Sequence, residues 1–355
     1  MKKLVLAFLC MVSWLTLFAQ PEATPMTAGK TAEGIVYFLP KTVFNFHLLI
    51  EQKTYQPGPF ARYASRYLRK KNVCQEPETD YRILKIEVTQ SGIRDTSKCY
   101  ALKLKGGKCE TAEVRLSDDG VLLAINDEPM RGLAHSPFLP STRIPLADPT
   151  RFMTEEVRAA GSTAKMAELT AAQMADLRES REQLITGEAE EMPQDHEQLQ
   201  RMIHEIDSEY AALESLFLGV EQCDTTEQEV SFCPEGEVAR EVFFRLSKKR
   251  GVVDKDDLSG VPYYIKVEDV YQVNVAKYPP ADQKKHEGLY VNVPGRLRLS
   301  LYGEDTLLQT FELPAAQFGF VELRDAQLFK RYVTHLQLHP ATGAVVSTRV
   351  EEGKK

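Results

Sequence analysis

The spacing of apolar residues changes period twice along this chain, and those two changes limit its fold more than any other feature. From Gly34 to Asn126 most of the apolar residues recur at every second position. "VFNFHLLI" puts Phe44, Phe46, Leu48 and Ile50 on one face, with Asn45 and His47 on the other. "YRILKIEV" sets Leu84, Ile86 and Val88 against Lys85 and Glu87, and "YALKLKGGK" carries Tyr100, Leu102 and Leu104 into a turn at Gly106-Gly107. Period two is the signature of strands that bury one face. Between Ser162 and Leu218 the steps become three and four. Leu199, Ile203, Ile206, Tyr210, Leu213 and Phe217 form one helical stripe. Met166, Leu169, Leu177 and Leu184 form another, interrupted by Gln173 and Ser180. Gly187 and Pro193 break the helix between them. After Gly219 period two returns in "REVFFRLS", "VPYYIKVEDVY", "GLYVNVPGRLRLSLY" and "TLLQTFEL", with a turn expected at Pro294-Gly295. "RDAQLFKRY" reads as a short helix and "THLQLHPATGAVVSTRV" as a last hairpin.

Strand and helix do not alternate regularly, so a doubly wound parallel sheet is not expected. The expected fold class is α+β: two predominantly antiparallel β-rich domains with an antiparallel α-helical hairpin between them. The expected parts are a leader at 1–19, a β-rich domain with one short helix at 30–128, a linker at 129–154, the hairpin at 155–218, and a second β-rich domain at 219–352. The linker assignment rests on Pro129, Pro137, Pro140, Pro145 and Pro149, a density that excludes regular helix and central strand.

The short helix is expected in "YQPGPFARYASRYLRKK", Tyr55 to Lys71, with Pro59 as its first residue. Phe60, Tyr63, Ala64, Tyr67 and Leu68 share a face, which is expected to lie on the N-terminal sheet. Arg62, Arg66 and Arg69 face away, and Lys70 and Lys71 complement the helix dipole. The hairpin is acidic: 155–215 holds 15 Asp and Glu against 5 Lys and Arg, a net of -10, where the whole chain carries -7. A solvated amphipathic face accounts for that excess, and a docking surface is the alternative.

Lys2 and Lys3 precede a mostly apolar run from Leu4 to Phe18, and Ala19 offers a small residue for cleavage. That pattern reads as a secretory leader. Phe8 and Leu9 before Cys10 do not suit lipidation, so an exported protein that is not a lipoprotein is expected, in the periplasm or at the outer membrane. No later stretch reaches the roughly 20 apolar residues of a membrane span. Beyond Cys10 there are five cysteines: Cys74, Cys99, Cys109, Cys223 and Cys233. Export permits disulfides, an odd number leaves one thiol over, and Cys223 and Cys233 are near enough in sequence to close a small loop.

Chemistry is hard to place. His196, His204 and His286 each precede a Glu, but none begins HExxH. His335 and His339 read as a strand running into a turn, about 13 Å apart at a rise of roughly 3.3 Å per residue. No GxSxG elbow, phosphate loop, GxGxxG or CxxC occurs, and "DKDDLSG" lacks calcium-loop spacing. No catalytic, cofactor-binding or metal-binding residue is therefore assigned, and no cofactor. Export argues against nucleic acid as a partner.

"GIVYFLPKTVFNFHL", "PGPFARYASRYL", "LESLFLG", "AQFGFVEL" and "HPATGAV", in that order, resemble a family of exported proteins from Bacteroides and relatives catalogued as DUF4831. The resemblance spans nearly the whole chain after the leader. It implies a cell-envelope protein and brings no activity or catalytic residues. The expected function is non-enzymatic, binding another envelope protein or supporting an assembly. The alternatives are a glycan- or small-ligand-binding module, for which Tyr263, Tyr264 and Tyr290 are the available rings, and a hydrolase with an unrecognised carboxylate site.

Overall fold

The computed structural model describes residues 29–31, 34–102, 113–132, 134–139, 148–190, 192–193, 195–270, 288–325 and 332–352. The leader, the Gly106-Gly107 turn, Cys10, Cys109, His286, Pro140, Pro145 and residues 326–331 of "RDAQLFKRY" lie outside them. In chain order the strands before the helical region are β1 (Gly29–Thr31), β2 (Gly34–Gln56), β3 (Glu78–Leu102), β4 (Val114–Leu116) and β5 (Leu122–Ile125). The helices are α1 (Ala64–Tyr67), α2 (Glu155–Ala159), α3 (Thr163–Thr186) and α4 (His196–Leu218). After them come β6 (Val220–Phe232), β7 (Val238–Ser247), β8 (Gly251–Val253), β9 (Val261–Asp269), β10 (Gly288–Gly303), β11 (Thr306–Asp325), β12 (Tyr332–Leu338) and β13 (Val345–Glu352). The fold is thus α+β and antiparallel, with the expected helical hairpin between two strand-rich stretches.

Those two stretches share two of the three sheets. In the first sheet β2 pairs with β3 on one side and with β1 and then β6 on the other. The second has the order β11-β10-β9-β7-β8, and the third β13-β12-β5-β4. The boundaries expected at 128 and 219 therefore mark changes of secondary structure and not separately cored units. One core packs Phe44, Phe46, Leu48 and Ile50 of β2 against Phe244, Ile265, Val267, Leu297, Leu299 and Leu301 of the second sheet. Another joins Tyr37 and Leu39 at the start of β2 to Leu289 and Val291 of β10 and to Leu336 and Leu338 of β12. The reason is length: β2 and β10 each run through both cores.

Two irregularities account for departures from the expected pattern. A register shift between Leu49 and Ile50 pairs Leu49 with Lys85 but Ile50 with Ile83, leaving Leu84 without a partner. That bulge turns Leu84 outward, 44% exposed, and puts Ile83 rather than Leu84 against the core. The turn expected at Pro294-Gly295 is a bulge as well: β10 continues, while Val293 pairs with Phe320 and Gly295 with Ala315. Backbone meets backbone there. A Cβ on Gly295 would lie 1.9 Å from the Phe318 carbonyl oxygen, and one on Gly319 1.8 Å from that of Val293.

The helical hairpin is closed by local chemistry. The Ser162 side chain accepts the Lys165 N–H, Asp195 accepts the Gln198 N–H at 2.6 Å, and Gly187 ends α3 at φ +79°. Gln173, which interrupts the α3 stripe, bridges instead: Nε2 donates to the Phe152 carbonyl at 2.7 Å and to Glu209 Oε1 at 3.0 Å. The short helix after Pro59 begins as a 3-10 turn at Ala61–Tyr63 and is α-helical only over α1. Phe60, Ala64, Tyr63, Tyr67 and Leu68 do share a face. It packs on the hairpin base, against Met174, Leu213, Leu216 and Phe217, and not on the N-terminal sheet as expected. The outer face of that sheet is polar, whereas the hairpin base offers the matching apolar surface.

Candidate functional site

The polar face of the first sheet carries the densest group of metal-competent side chains among the described residues. Period two on β2 buries the four core residues and turns His47 to the opposite face. There it is flanked in register by Glu87 on β3 and Glu229 on β6. Two residues back along β6, on the same face, stands Glu227. The proline-rich linker crosses this face. Gln337 Nε2 donates to the Glu128 carbonyl at 2.8 Å, and the Phe138 N–H donates to Glu227 Oε2 at 3.0 Å. Lys85 Nζ lies 5.1 Å from the centre of the Phe138 ring.

Between these anchors the linker lowers His135 onto His47. The two imidazoles stack with centroids 3.8 Å apart and planes 9° from parallel. His47 Nδ1 is 3.3 Å and His135 Nε2 2.7 Å from the same atom, Glu227 Oε1. The remaining nitrogens face the sheet: His47 Nε2 lies 2.9 Å from Thr89 Oγ1, and His135 Nδ1 3.3 Å from Glu87 Oε2. One ligand atom from each of His47, His135 and Glu227 falls within 4.8 Å of the others. The two imidazole side chains are only 8% and 9% exposed. Beyond its 2.7 Å contact with Glu227 Oε1, His135 Nε2 has no hydrogen-bond partner. Glu87 is held below its ordinary carboxyl value, first by its bond to Lys85.

Sequence reasoning put His47 on the polar face but had no partner for it. Its partners come from residues 88 and 180 positions further along, with no fixed spacing for a motif to capture. The other histidines and the tyrosines with available rings lie elsewhere. His335 Nδ1 contacts the Asn126 carbonyl, and His339 Nδ1 accepts the Ala341 N–H at 3.3 Å within the 339–343 turn. His196 and His204 lie on exposed parts of α4. Tyr263 stacks on Phe244, Tyr290 on Tyr100, and Tyr264 lies under the Arg240 guanidinium. Of the two possibilities for Cys223 and Cys233, a bridge or unpaired thiols, the structure has both thiols free. The intervening residues make the extended strand β6, and ten steps of about 3.3 Å hold the two sulfurs far apart. Cys74 and Cys99 are also free.

Two clefts flank the hairpin. One of about 1030 Å³ lies at the end of the first sheet and contains Lys53, Tyr55, Cys74, Glu78 and Glu221. Its two perturbed groups move away from neutrality: the bond to Glu221 raises Lys53, and burial raises the Tyr55 phenol. Neither is thereby poised for proton transfer near pH 7. The other, of about 600 Å³, lies between the end of α1 and the hairpin, with Arg69, Lys70, Arg178 and Arg181 opposed by Asp207 and Glu214. The basic stretch at Tyr55 to Lys71 thus contributes to a groove of mixed charge.

None of the described helices is long and apolar enough to cross a membrane. No curated protein and no solved structure matches the chain. A family model does, that of Domain of unknown function (DUF4831), over residues 33–346. That match takes in both strand-rich stretches, the linker with His135 and the helical hairpin, and on its extent this chain belongs to the DUF4831 family.

Proposed function

We propose that this chain is an exported cell-envelope protein that works by binding another protein, with the distal half of the α3–α4 hairpin as its contact surface. One observation carries the reading. The buried residues of α4 are Ala212, Leu213, Ser215, Leu216 and Phe217, all in its last two turns. From His196 to Ala211 no residue is buried. The hairpin is therefore held at its base and projects from there. Its distal part exposes Ile185 at 56% and Met192 at 42%, and Met202 borders a shallow groove with Ile206. Apolar side chains among charged ones on a projecting arm suit a protein partner. The export part of the reading rests on Lys2, Lys3 and the apolar run to Phe18.

The test is site-specific photocrosslinking in intact cells. A crosslinker at Met202 is expected to give one discrete adduct in the envelope fraction. A crosslinker at Leu258, 81% exposed near β9, is expected to give none. No adduct from Met202, or the same adducts from both sites, overturns the reading.

A further inference from the structure

We propose that His47, His135 and Glu227 bind one divalent transition-metal ion of the zinc class, and that the ion clamps the linker onto the polar face of the first sheet. In the tautomer with its proton on Nδ1, His135 directs that N–H toward the Glu87 carboxylate, 3.3 Å away. That tautomer leaves a lone pair at Nε2, on the side of Glu227 Oε1 at 2.7 Å. On the other side of the same oxygen, His47 Nδ1 approaches to 3.3 Å while Thr89 Oγ1 occupies its Nε2. With Thr89 accepting, His47 also points a lone pair inward. In these tautomers three acceptor atoms, one each from His47, His135 and Glu227, lie within 4.8 Å of one another, and a cation among them relieves their repulsion.

The surroundings match those of a metal site. Each ligating histidine of such a site ordinarily gives its second ring N–H to a carboxylate or another oxygen, which fixes tautomer and ring orientation. Glu87 and Thr89 stand in those places. Glu227 is held by its other oxygen, which accepts the Phe138 N–H at 3.0 Å, leaving Oε1 for the ion. Two imidazoles and one carboxylate suit zinc or its neighbours in the first transition row, and suit calcium or magnesium poorly. The fourth position is left to water. Bonds of about 2.0–2.1 Å to both rings require the stacked imidazoles to tilt apart, a motion open to His135 on its extended segment.

The experiment uses the mature chain, dialysed against a chelator and titrated with Co²⁺, followed by displacement with Zn²⁺. Expected are one equivalent of Co²⁺ with the visible absorption of a low-coordinate site, and its loss when Zn²⁺ is added. His135→Ala, on the linker and outside every core, is expected to weaken binding by about 100-fold or more while the circular dichroism spectrum stays native. Thr89→Val, which removes the hydroxyl facing His47 Nε2, should weaken it by about 10–100-fold. His335→Ala should leave it unchanged. Zn²⁺ should also slow tryptic cleavage after Arg131, which is exposed at the start of the segment. No cobalt spectrum in the folded wild-type chain, as when a shared proton alone satisfies the three groups, overturns the proposal. So does binding undiminished in His135→Ala. Neither result bears on the hairpin as a contact surface.

Discussion

The side-chain amide of Gln317 pairs with the backbone of Thr42 as a neighbouring strand would: Nε2 donates to the Thr42 carbonyl at 2.8 Å and Oε1 accepts its N–H at 3.0 Å. The Thr42 hydroxyl meanwhile donates to the Ala341 carbonyl at 2.9 Å and accepts the Ala316 N–H at 3.0 Å. One fully buried residue of β2 thus joins β11 and the 339–343 turn. Gln317→Ala is expected to destabilise the protein by about 1–3 kcal/mol, because it strands the buried Thr42 N–H and leaves its carbonyl only the 3.7 Å contact from the Cys233 thiol. Gln317→Glu, of the same shape, should do at least as much by setting an acceptor against the Thr42 carbonyl. Urea unfolding of the two variants measures both, and a loss below about 0.5 kcal/mol, the scatter of neutral surface changes, would contradict the pairing.

The hairpin should be sensitive at its base and tolerant at its tip. Phe217 is fully buried, with its ring centre 5.3 Å from that of Phe60, and the Phe60 N–H donates to the Leu216 carbonyl at 2.8 Å. Phe217→Ala is expected to remove about 3–5 kcal/mol. It should also speed hydrogen exchange throughout α3 and α4 more than in β2 or β10. Met202→Ala should stay within about 0.5 kcal/mol of wild type. Equal losses from the two would mean that the hairpin is held along its whole length.

Thiol reactivity should divide by burial. Burial pushes the Cys99 and Cys233 thiols above their ordinary value, which lowers the thiolate fraction at any given pH. Cys223 is exposed. In the folded, non-reduced protein iodoacetamide should therefore label Cys223 ahead of Cys99 and Cys233, and the two slow sites should gain most as pH rises. Peptide mass spectrometry reads the order. A Cys223–Cys233 bridge would show itself as two thiols that stay unlabelled even after denaturation.

His339 makes the 339–343 turn sensitive to acid. Burial lowers it from the ordinary value of 6.5, so the folded state prefers the neutral ring. Below about pH 6.5 the unfolded chain takes up a proton that the folded chain resists, and stability falls until the folded pKa is passed. His339→Gln should flatten that part of the stability–pH curve and leave the region above pH 7 in place. Urea midpoints measured from pH 5 to 8 check it, and an unchanged slope in the variant would exclude the residue.

Much of the architecture could be read from the residues, and the reasons it was legible are local. Period two turned Phe44, Phe46, Leu48 and Ile50 inward, and Gly187 and Pro193 marked the break between the two helices. The bulges at Leu84 and at Pro294-Gly295 escaped, because a bulge reverses the parity of a strand without changing its composition. The bearing surface of α1 escaped because an aromatic stripe states that a face is buried, not against what. The His47–His135–Glu227 group escaped for the same reason on a larger scale. Three side chains 88 and 92 positions apart meet only through β6 pairing with β2 and the linker folding back. The segments that carry the family resemblance make a related point. "PGPFARYASRYL" touches "LESLFLG" at Phe60 and Leu216. Thr42 of "GIVYFLPKTVFNFHL" touches both "AQFGFVEL" and "HPATGAV".

β2 has a kinetic consequence. Its residues 44–56 wait for β6, which enters the chain only at Val220, after the linker and the whole hairpin. Until then that edge of a 23-residue strand presents unpaired amides and carbonyls to any chain that passes. Pairings so distant in sequence close slowly, since the loop entropy is spent before the contacts repay it. Nascent molecules stopped short of residue 220 would carry an open template for aggregation, and the hairpin, by bringing its own last turn to Phe60, delivers the strand that caps it.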